Sequence, residues 1–394
     1  MNIDFESFDI TFDGAKPYTA KTANGKTAFA SENTDGALTV SVYTDFSEKP
    51  LVLRAKNVRG NAALRIRPYR LELWADGVLH DEEWQYGKLL LLDAEWNTAP
   101  EVTEFFEDSS PLPTVLGTFK NAEGWRPEEN VFVGDCMPYS DSKRFHVIYL
   151  KDRHHHGSKW GRGAHQWSHI STDDFVTWQI HPNVVEIDDP SEGSICTGSH
   201  IECDGKHYLY YTVRTCDGSP AAIRRSISDD GYHYVKDREF GFTLSEKYNS
   251  ASARDPKVVL SDDGLYHMIL TSTLLSEEKG CLVHLTSRDA ENWVEEPHPI
   301  YVAHDGNEPE CPDYFEFGGT YYLVFSHHIK AQYMYSDRPF TDWKTPVKAN
   351  IPCESVPKAA IWNGKIVFVG FRCLGGYGGT MTFLEVKPEG KELF

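Results

Sequence analysis

Two segments, "LYHMILT" at residues 265–271 and "LVHLTSRDAENWV" at residues 282–294, decide how this chain is read. The first is a dense run of apolar and β-branched residues, and the second closes on Ser, Asp and Trp. Neither shows the 3.6-residue period of an amphipathic helix, and turn residues bound both, so both read as strands. The pairing recurs. "RFHVIYL" (144–150) precedes "HQWSHISTDDFVTW" (165–178), and "KHYLYYT" (206–212) precedes "AIRRSISDDGYHYV" (222–235). "TYYLVFS" (320–326) precedes "AQYMYSDRPFTDW" (331–343), and "KIVFVGF" (365–371) precedes "GTMTFLEV" (379–386). Each pair follows a further short segment: "VGDCMPYS", "CTGSHIEC", "ARDPKVVL", "ECPDYFEF" or "ESVPKAAIW". Five units of about four strands each are the pattern of a five-bladed β-propeller, expected over residues 131–394. The upstream segments would be the innermost strands, with their first side chains converging on one end of a central funnel.

Residues 1–108 read as short alternating strands, among them "GALTVSVYTD", "KPLVLRAKNV" and "GKLLLLDA", with "LRIRPYRLELWADG" (64–77) ending in a turn signal. A small antiparallel β-sandwich is the expected packing, so the fold class is all-β. Residues 109–130, rich in proline, acid and turn residues, read as a linker.

The 394 residues carry 40% hydrophobic and 25% charged side chains, a globular composition, and a formal net charge of -20. That charge argues against nucleic acid or an anionic membrane as partner, because both require a basic footprint. The opening "MNIDFESFDITF" has neither a basic nor an apolar leader region. No apolar run approaches the roughly 20 residues of a membrane span. The eight cysteines are scattered without a CxxC pair, so reduced thiols in a cytoplasmic protein are expected, with no cofactor.

On the propeller reading, the inner strands of units one, three and four begin with Asp135, Asp255 and Glu310. Carboxylates brought together raise one another's pKa, so one stays protonated while another stays ionised. Glycosidic hydrolysis needs that split: an acid for the leaving oxygen and a carboxylate for the cationic anomeric carbon.

"ARDPKVVL" and "ECPDYFEF" resemble the two acidic motifs of glycoside hydrolase family 32, the invertase, inulinase and levanase group. "HHHGSKWGRGAHQWSHISTDDFVTW", "TGSHIECDGKHYLYYT" and "GGYGGTMTF" resemble its first, second and closing blades, so the likeness spans residues 131–385. The resemblance implies a five-bladed propeller and a retaining hydrolase. It implies that Asp135 is the nucleophile, Asp255 the transition-state stabiliser and Glu310 the general acid/base, with Arg254 binding substrate hydroxyls.

The chain departs from the family's pattern in four places. "GDCMPY" stands where the family has "NDPNG", Leu150 replaces a substrate-facing glutamine, Thr197 replaces a serine, and the sandwich precedes rather than follows the propeller. The sandwich's expected role is structural or in homo-oligomerisation, with substrate binding the lesser alternative.

Further candidate substrate contacts are Trp160 and Trp167 as an aromatic wall, His155 and His156 as hydrogen-bond partners, and Thr197 in the second blade. Three consecutive histidines, His154 to His156, do not face one centre, so no metal is expected there. Trp178, Trp293 and Trp343 recur at one blade position and read as packing. Asp313 would hold Arg254, tune Glu310 or cap a turn, and Glu308 stands as the alternative to Glu310. The expected substrate is a β-fructofuranoside, as a short oligosaccharide or disaccharide. Fructosyl transfer or dianhydride formation, an inverting arabinofuranosidase or xylosidase, and a non-catalytic sugar-binding propeller remain alternatives.

Overall fold

The computed structural model describes residues 7–68, 70–85, 87–106, 110–127, 130–153, 165–189, 192–215 and 219–394. They form thirty strands and one short 3-10 turn, and no helix among them is long and apolar enough to cross a membrane. The chain divides into two compact units, the first holding the described residues before Leu112 together with Asn130, Asp188 and Asp189, the second the remainder.

The first unit contains two five-stranded antiparallel sheets. One runs Glu101–Glu104, Phe8–Asp13, Asn61–Arg67, Arg70–Ala75, Val78–Trp84; the other runs Leu51–Ala55, Ala37–Val42, Thr27–Thr34, Tyr18–Thr22, Ala94–Trp96. Alternation selects the face. Phe8, Ile10 and Phe12 are buried, as are Leu38, Val40 and Val42 and Ala62, Leu64 and Ile66, and they share one apolar core. Asp76 and Gly77, both in the left-handed region, close the hairpin between Ala75 and Val78. One strand expectation is corrected. In "GKLLLLDA", Leu90–Asp93 is the 3-10 turn and the strand begins only at Ala94. Four successive leucines carry no polar alternation, and the turn packs all four against one core, Leu89 and Leu91 buried and Leu90 and Leu92 half-buried, where a strand would turn every second one to the opposite face.

The second unit is a series of antiparallel meanders. Glu192–Cys203, Lys206–Thr215, Ala222–Ser228 and Val235–Lys236 form one sheet. Arg254–Leu260, Tyr266–Leu274, Lys279–Ser287 and Val294–Glu295 form a second, in which Tyr301–Val302 also pairs with Lys279–Ser287; Glu310–Phe317, Thr320–His327 and Lys330–Ser336 form a third. The largest sheet holds two meanders, one beginning with Val131–Ser140 and one with Lys358–Trp362, joined at the single pair Val133 and Gly379. The first strand of each meander packs against that of the next, and Lys358–Trp362 packs back against Val131–Ser140.

Residues 109–130, expected as a linker, include the strand Gly117–Lys120, which pairs with Thr177–Val185. Phe119 stacks on the nearby Trp125 at 4.2 Å and lies 6.5 Å from the sequence-distant Trp178, so aromatic packing accompanies a strand too short for local pattern to show.

The recurring Ser/Thr and Asp residues are turn devices. Asp174 Oδ1 accepts the Val176 and Thr177 N–H groups, Asp230 Oδ1 those of Tyr232 and His233, and Asp289 Oδ1 those of Glu291 and Asn292. Each such Asp satisfies backbone donors that the end of a strand leaves unpaired.

Candidate active site

Four of the five first strands break register at the same place. The pairing slips between Val133 and Cys136, Ile195 and Gly198, Arg254 and Lys257, and Glu310 and Asp313. A bulge re-aims the side chains it contains, and these bulges contain or border Asp135, Thr197, Asp255 and Glu310. Pro256 and Pro312 sit inside two of them, where no ladder donor is needed. Asp255 (φ 61°) and Cys311 (φ 51°) adopt left-handed backbone there. Such strain in non-glycine residues is characteristic of functional sites.

The bulges open onto one cavity of about 380 Å³, walled in part by Asp135, Thr197, Arg254, Asp255, Glu310 and Cys311. Asp135 is held on both oxygens. Tyr377 donates its hydroxyl to Oδ1 at 2.7 Å and Thr197 donates to Oδ2 at 2.5 Å, while the Asp135 N–H donates to the Tyr377 oxygen at 3.1 Å. Gly134 makes the close approach of Tyr377 feasible, since a Cβ there would stand 2.8 Å from its hydroxyl. Asp255 Oδ2 accepts the Cys311 N–H at 3.0 Å, and the Cys311 thiol lies 3.4 Å from Asp135 Oδ2 and 3.5 Å from Asp255 Oδ2.

Arg254 is the cation of the site. Its Nη1 donates to Glu308 Oε2 at 2.5 Å, its Nη2 to Glu310 Oε1 at 3.0 Å, and its Nε lies 3.6 Å from Asp255 Oδ2. Burial pushes the Asp255 carboxyl up, Arg254 draws it back, and the charges of Asp135 and Glu310 push it up again, leaving it above its ordinary value. Burial would raise Glu308 as well, but Arg254 with hydrogen bonds from Ser252 and Thr273 holds it below. Burial and then the neighbouring Asp135 charge raise the Tyr377 phenol and the Cys311 thiol, so both are proton-bearing donors at neutral pH.

Two expected substrate contacts stand elsewhere. Trp167 is fully buried, stacks edge-on against Tyr211 at 5.7 Å and donates its indole N–H to Cys196 O at 3.1 Å, so it braces the strand that carries Thr197. Asp313 is also fully buried and pairs with Lys257, not Arg254. Its Oδ1 lies 2.6 Å from Lys257 Nζ and its Oδ2 accepts the Ala359 N–H at 2.7 Å, tying three first strands together behind the cavity. Glu308 is engaged with Arg254 and Thr273. His155, His156 and Trp160 lie outside the described residues.

Residues missed by the sequence reading include Tyr377, Lys358 and Ile329. Tyr377 is 242 residues from Asp135, and the only signal was an aromatic side chain within the glycine-rich "GGYGG". It stacks on His165 at 5.1 Å, which in turn bonds Asp152 Oδ1 through Nε2 at 3.0 Å. Lys358 Nζ, its pKa lowered by burial, donates to Gly198 O at 3.1 Å.

Residues 135–349 match the glycosyl hydrolases family 32 N-terminal domain. The chain is 30% identical over 194 residues to the sucrose-6-phosphate hydrolase of Bacillus subtilis strain 168, covering 46% of this chain and 40% of that protein. It is 26% identical over 207 residues to the cell-wall beta-fructofuranosidase of Pisum sativum, covering 50% and 36%. The chain thus spans well under half the length of these relatives. Among solved structures, a GH32 beta-fructofuranosidase of Bombyx mori superposes with a TM-score of 0.53 at 19% identity, covering 69% of this chain and 65% of that one. The RS223 beta-xylosidase superposes with a TM-score of 0.54 at 15% identity, covering 66% and 94%. The fold is that of these solved structures. The chain belongs to glycosyl hydrolases family 32.

Proposed function

We propose that this chain is a retaining glycoside hydrolase that cleaves a β-fructofuranosidic bond in a short oligosaccharide or disaccharide. Its second unit would be a five-bladed β-propeller, preceded by a β-sandwich. The cyclic contact order of the five first strands supports the blades, and the shared core of the two N-terminal sheets supports the sandwich. The observation that carries the catalytic reading is the convergence of Asp135, Asp255 and Glu310, each at a strand bulge, on one cavity.

In this reading Asp135 attacks the anomeric carbon as Glu310 protonates the leaving oxygen, giving a glycosyl ester on Asp135. Water, deprotonated by Glu310, then cleaves that ester with a second inversion and restores both groups. Asp255 faces the cationic carbon and the sugar hydroxyls, and Arg254 orients Glu310. Tyr377 and Thr197 hold the Asp135 carboxylate in line. A cytoplasmic setting with small imported substrates belongs to the same reading, and the unbridged cysteines among the described residues support it.

Asp135→Asn tests the proposal directly. Turnover of sucrose and fructo-oligosaccharides should fall by at least about a thousandfold with the fold retained, as expected when a nucleophile is removed. An unaffected rate would overturn the assignment. Proton NMR of the first-formed anomer checks retention, and inversion would move the activity to the class in which water attacks directly.

A further inference from the structure

Outside the carboxylate cavity, one side-chain cluster among the described residues has the arrangement of a metal site. His304, Asp305 and His328 each offer one ligand atom, and these atoms all lie within 4.8 Å of one another. His304 Nε2 is 3.4 Å and His328 Nε2 is 2.8 Å from Asp305 Oδ2. A tetrahedral divalent ion with bonds of about 2.0–2.2 Å separates its ligand atoms by about 3.3–3.6 Å. His304 already stands at that spacing from the carboxylate, and the half-exposed His328 reaches it by opening about half an ångström.

The carboxylate is set in advance. Asp305 Oδ1 accepts the Asn307 N–H at 3.0 Å and faces His327 Nε2 at 3.2 Å. That nitrogen also faces Asn307 O at 3.1 Å. Both partners are acceptors, so His327 Nε2 carries the hydrogen and supports Asp305 from behind, leaving Oδ2 to the other two histidines. Outer partners of this kind fix a ligand's orientation. The loop is pinned as well: Ala303 N–H donates to Gly280 O at 2.8 Å, and Gly280 N–H donates to Asp305 O at 3.0 Å.

His328 sits on a two-residue hairpin turn between His327 and Lys330, followed by Ile329, with φ values of 51° and 59°. Asparagine and glycine normally fill such a turn, and a β-branched residue at positive φ is an outlier. The turn sets His328 beside Asp305 and places the almost fully exposed Ile329 on the wall of the carboxylate cavity. The loop bearing His304 and Asp305 runs directly into Glu310.

We propose that His304, Asp305 and His328 bind one divalent transition-metal ion of the zinc class, which clamps the Ile329 turn to the loop leading into Glu310. Two imidazoles and a carboxylate suit such an ion and leave a fourth position for water. The net charge of -20 favours its approach. The competing arrangement, in which the histidines serve only as hydrogen-bond donors to Asp305, holds no metal.

Calorimetric titration of the untagged, chelator-treated full chain with Zn²⁺ near neutral pH separates the two. One equivalent should bind, His304→Ala and His328→Ala should each weaken it at least tenfold, and His327→Gln should weaken it about 10- to 100-fold. Absence of stoichiometric binding in the wild type, or binding retained in the His304→Ala/His328→Ala double variant, overturns the proposal. Because binding is the readout, and Asp135→Asn should bind Zn²⁺ like the wild type, failure of the metal site is distinguishable from failure of the catalytic reading.

Discussion

Replacing Arg254 by Gln removes the guanidinium that contacts three carboxylates of the cavity. The guanidinium is 5% exposed and lies 2.5 Å from Glu308, 3.0 Å from Glu310 and 3.6 Å from Asp255. At an effective dielectric of about 20, a charge pair at 3.6 Å is worth about 4–5 kcal/mol before desolvation. The net worth of the intact pairs is smaller, but the variant leaves buried carboxylates without their counter-charge, which costs about 3–5 kcal/mol. For a unit of this size that is a fall in Tm of about 5–10 °C near pH 7.5.

The pH dependence carries the sharper test. Arg254 keeps Glu308 below its ordinary value of 4.5, so the pair's stabilisation is present above that pH and lost as pH falls through the lower folded value. Without Arg254 the carboxylates take up protons in the folded state at higher pH, which relieves their repulsion. The Tm difference between wild type and Arg254→Gln should therefore be largest near pH 7.5 and shrink towards pH 5. Thermal unfolding at the two pH values measures it. An equal difference at both, or none at either, would refute the assignment of Arg254 as the counter-charge of the site.

Glu310→Gln should slow hydrolysis of substrates with poor leaving groups far more than of activated aryl fructosides; equal slowing would contradict its role as proton donor. Tyr377→Phe removes a hydrogen bond of a phenol to a carboxylate, worth about 1.5–3 kcal/mol. It should lower kcat/KM about 10- to 150-fold, mostly in kcat, and a change confined to KM would place Tyr377 on the substrate instead of on Asp135. Burial holds His146, His181 and His284 at about 4, against an ordinary 6.5. The unfolded chain therefore takes up protons that the folded one refuses, and stability should fall from about pH 6.5 towards 4 by about 1.4 kcal/mol per group per pH unit. Thermal unfolding between pH 7 and 5 reads that slope, which His284→Gln should reduce; a flat profile would contradict neutral burial of these rings.

Much of the strand content was legible because burial on one face imposes a period of two on residues adjacent in the chain. Phe8, Ile10 and Phe12 show it locally, as does the Asp76–Gly77 turn. Where that signal lapses the reading slipped. Four consecutive leucines carry no alternation and became a turn, and the four residues Gly117–Lys120 are ordered by Trp125 and Trp178 and not by their own pattern. Trp167 and Asp313 show a different limit. An indole or a carboxylate next to a reactive segment faces the cavity or the packing behind it according to one step of register, and a bulge changes that step.

Composition, the recurring paired strands and the order of the acidic motifs are properties of adjacent residues, and with them the sequence alone determined an all-β chain of repeated meanders and nominated Asp135, Asp255 and Glu310. Only the tertiary structure decided what those acids face. Asp135 is gripped by a tyrosine 242 residues away, Arg254 divides itself among three carboxylates, and Asp313 turns from the cavity to Lys257. Such partners are chosen by which first strands pack side by side and where each one bulges, and no local pattern in the chain encodes contacts between strands so far apart.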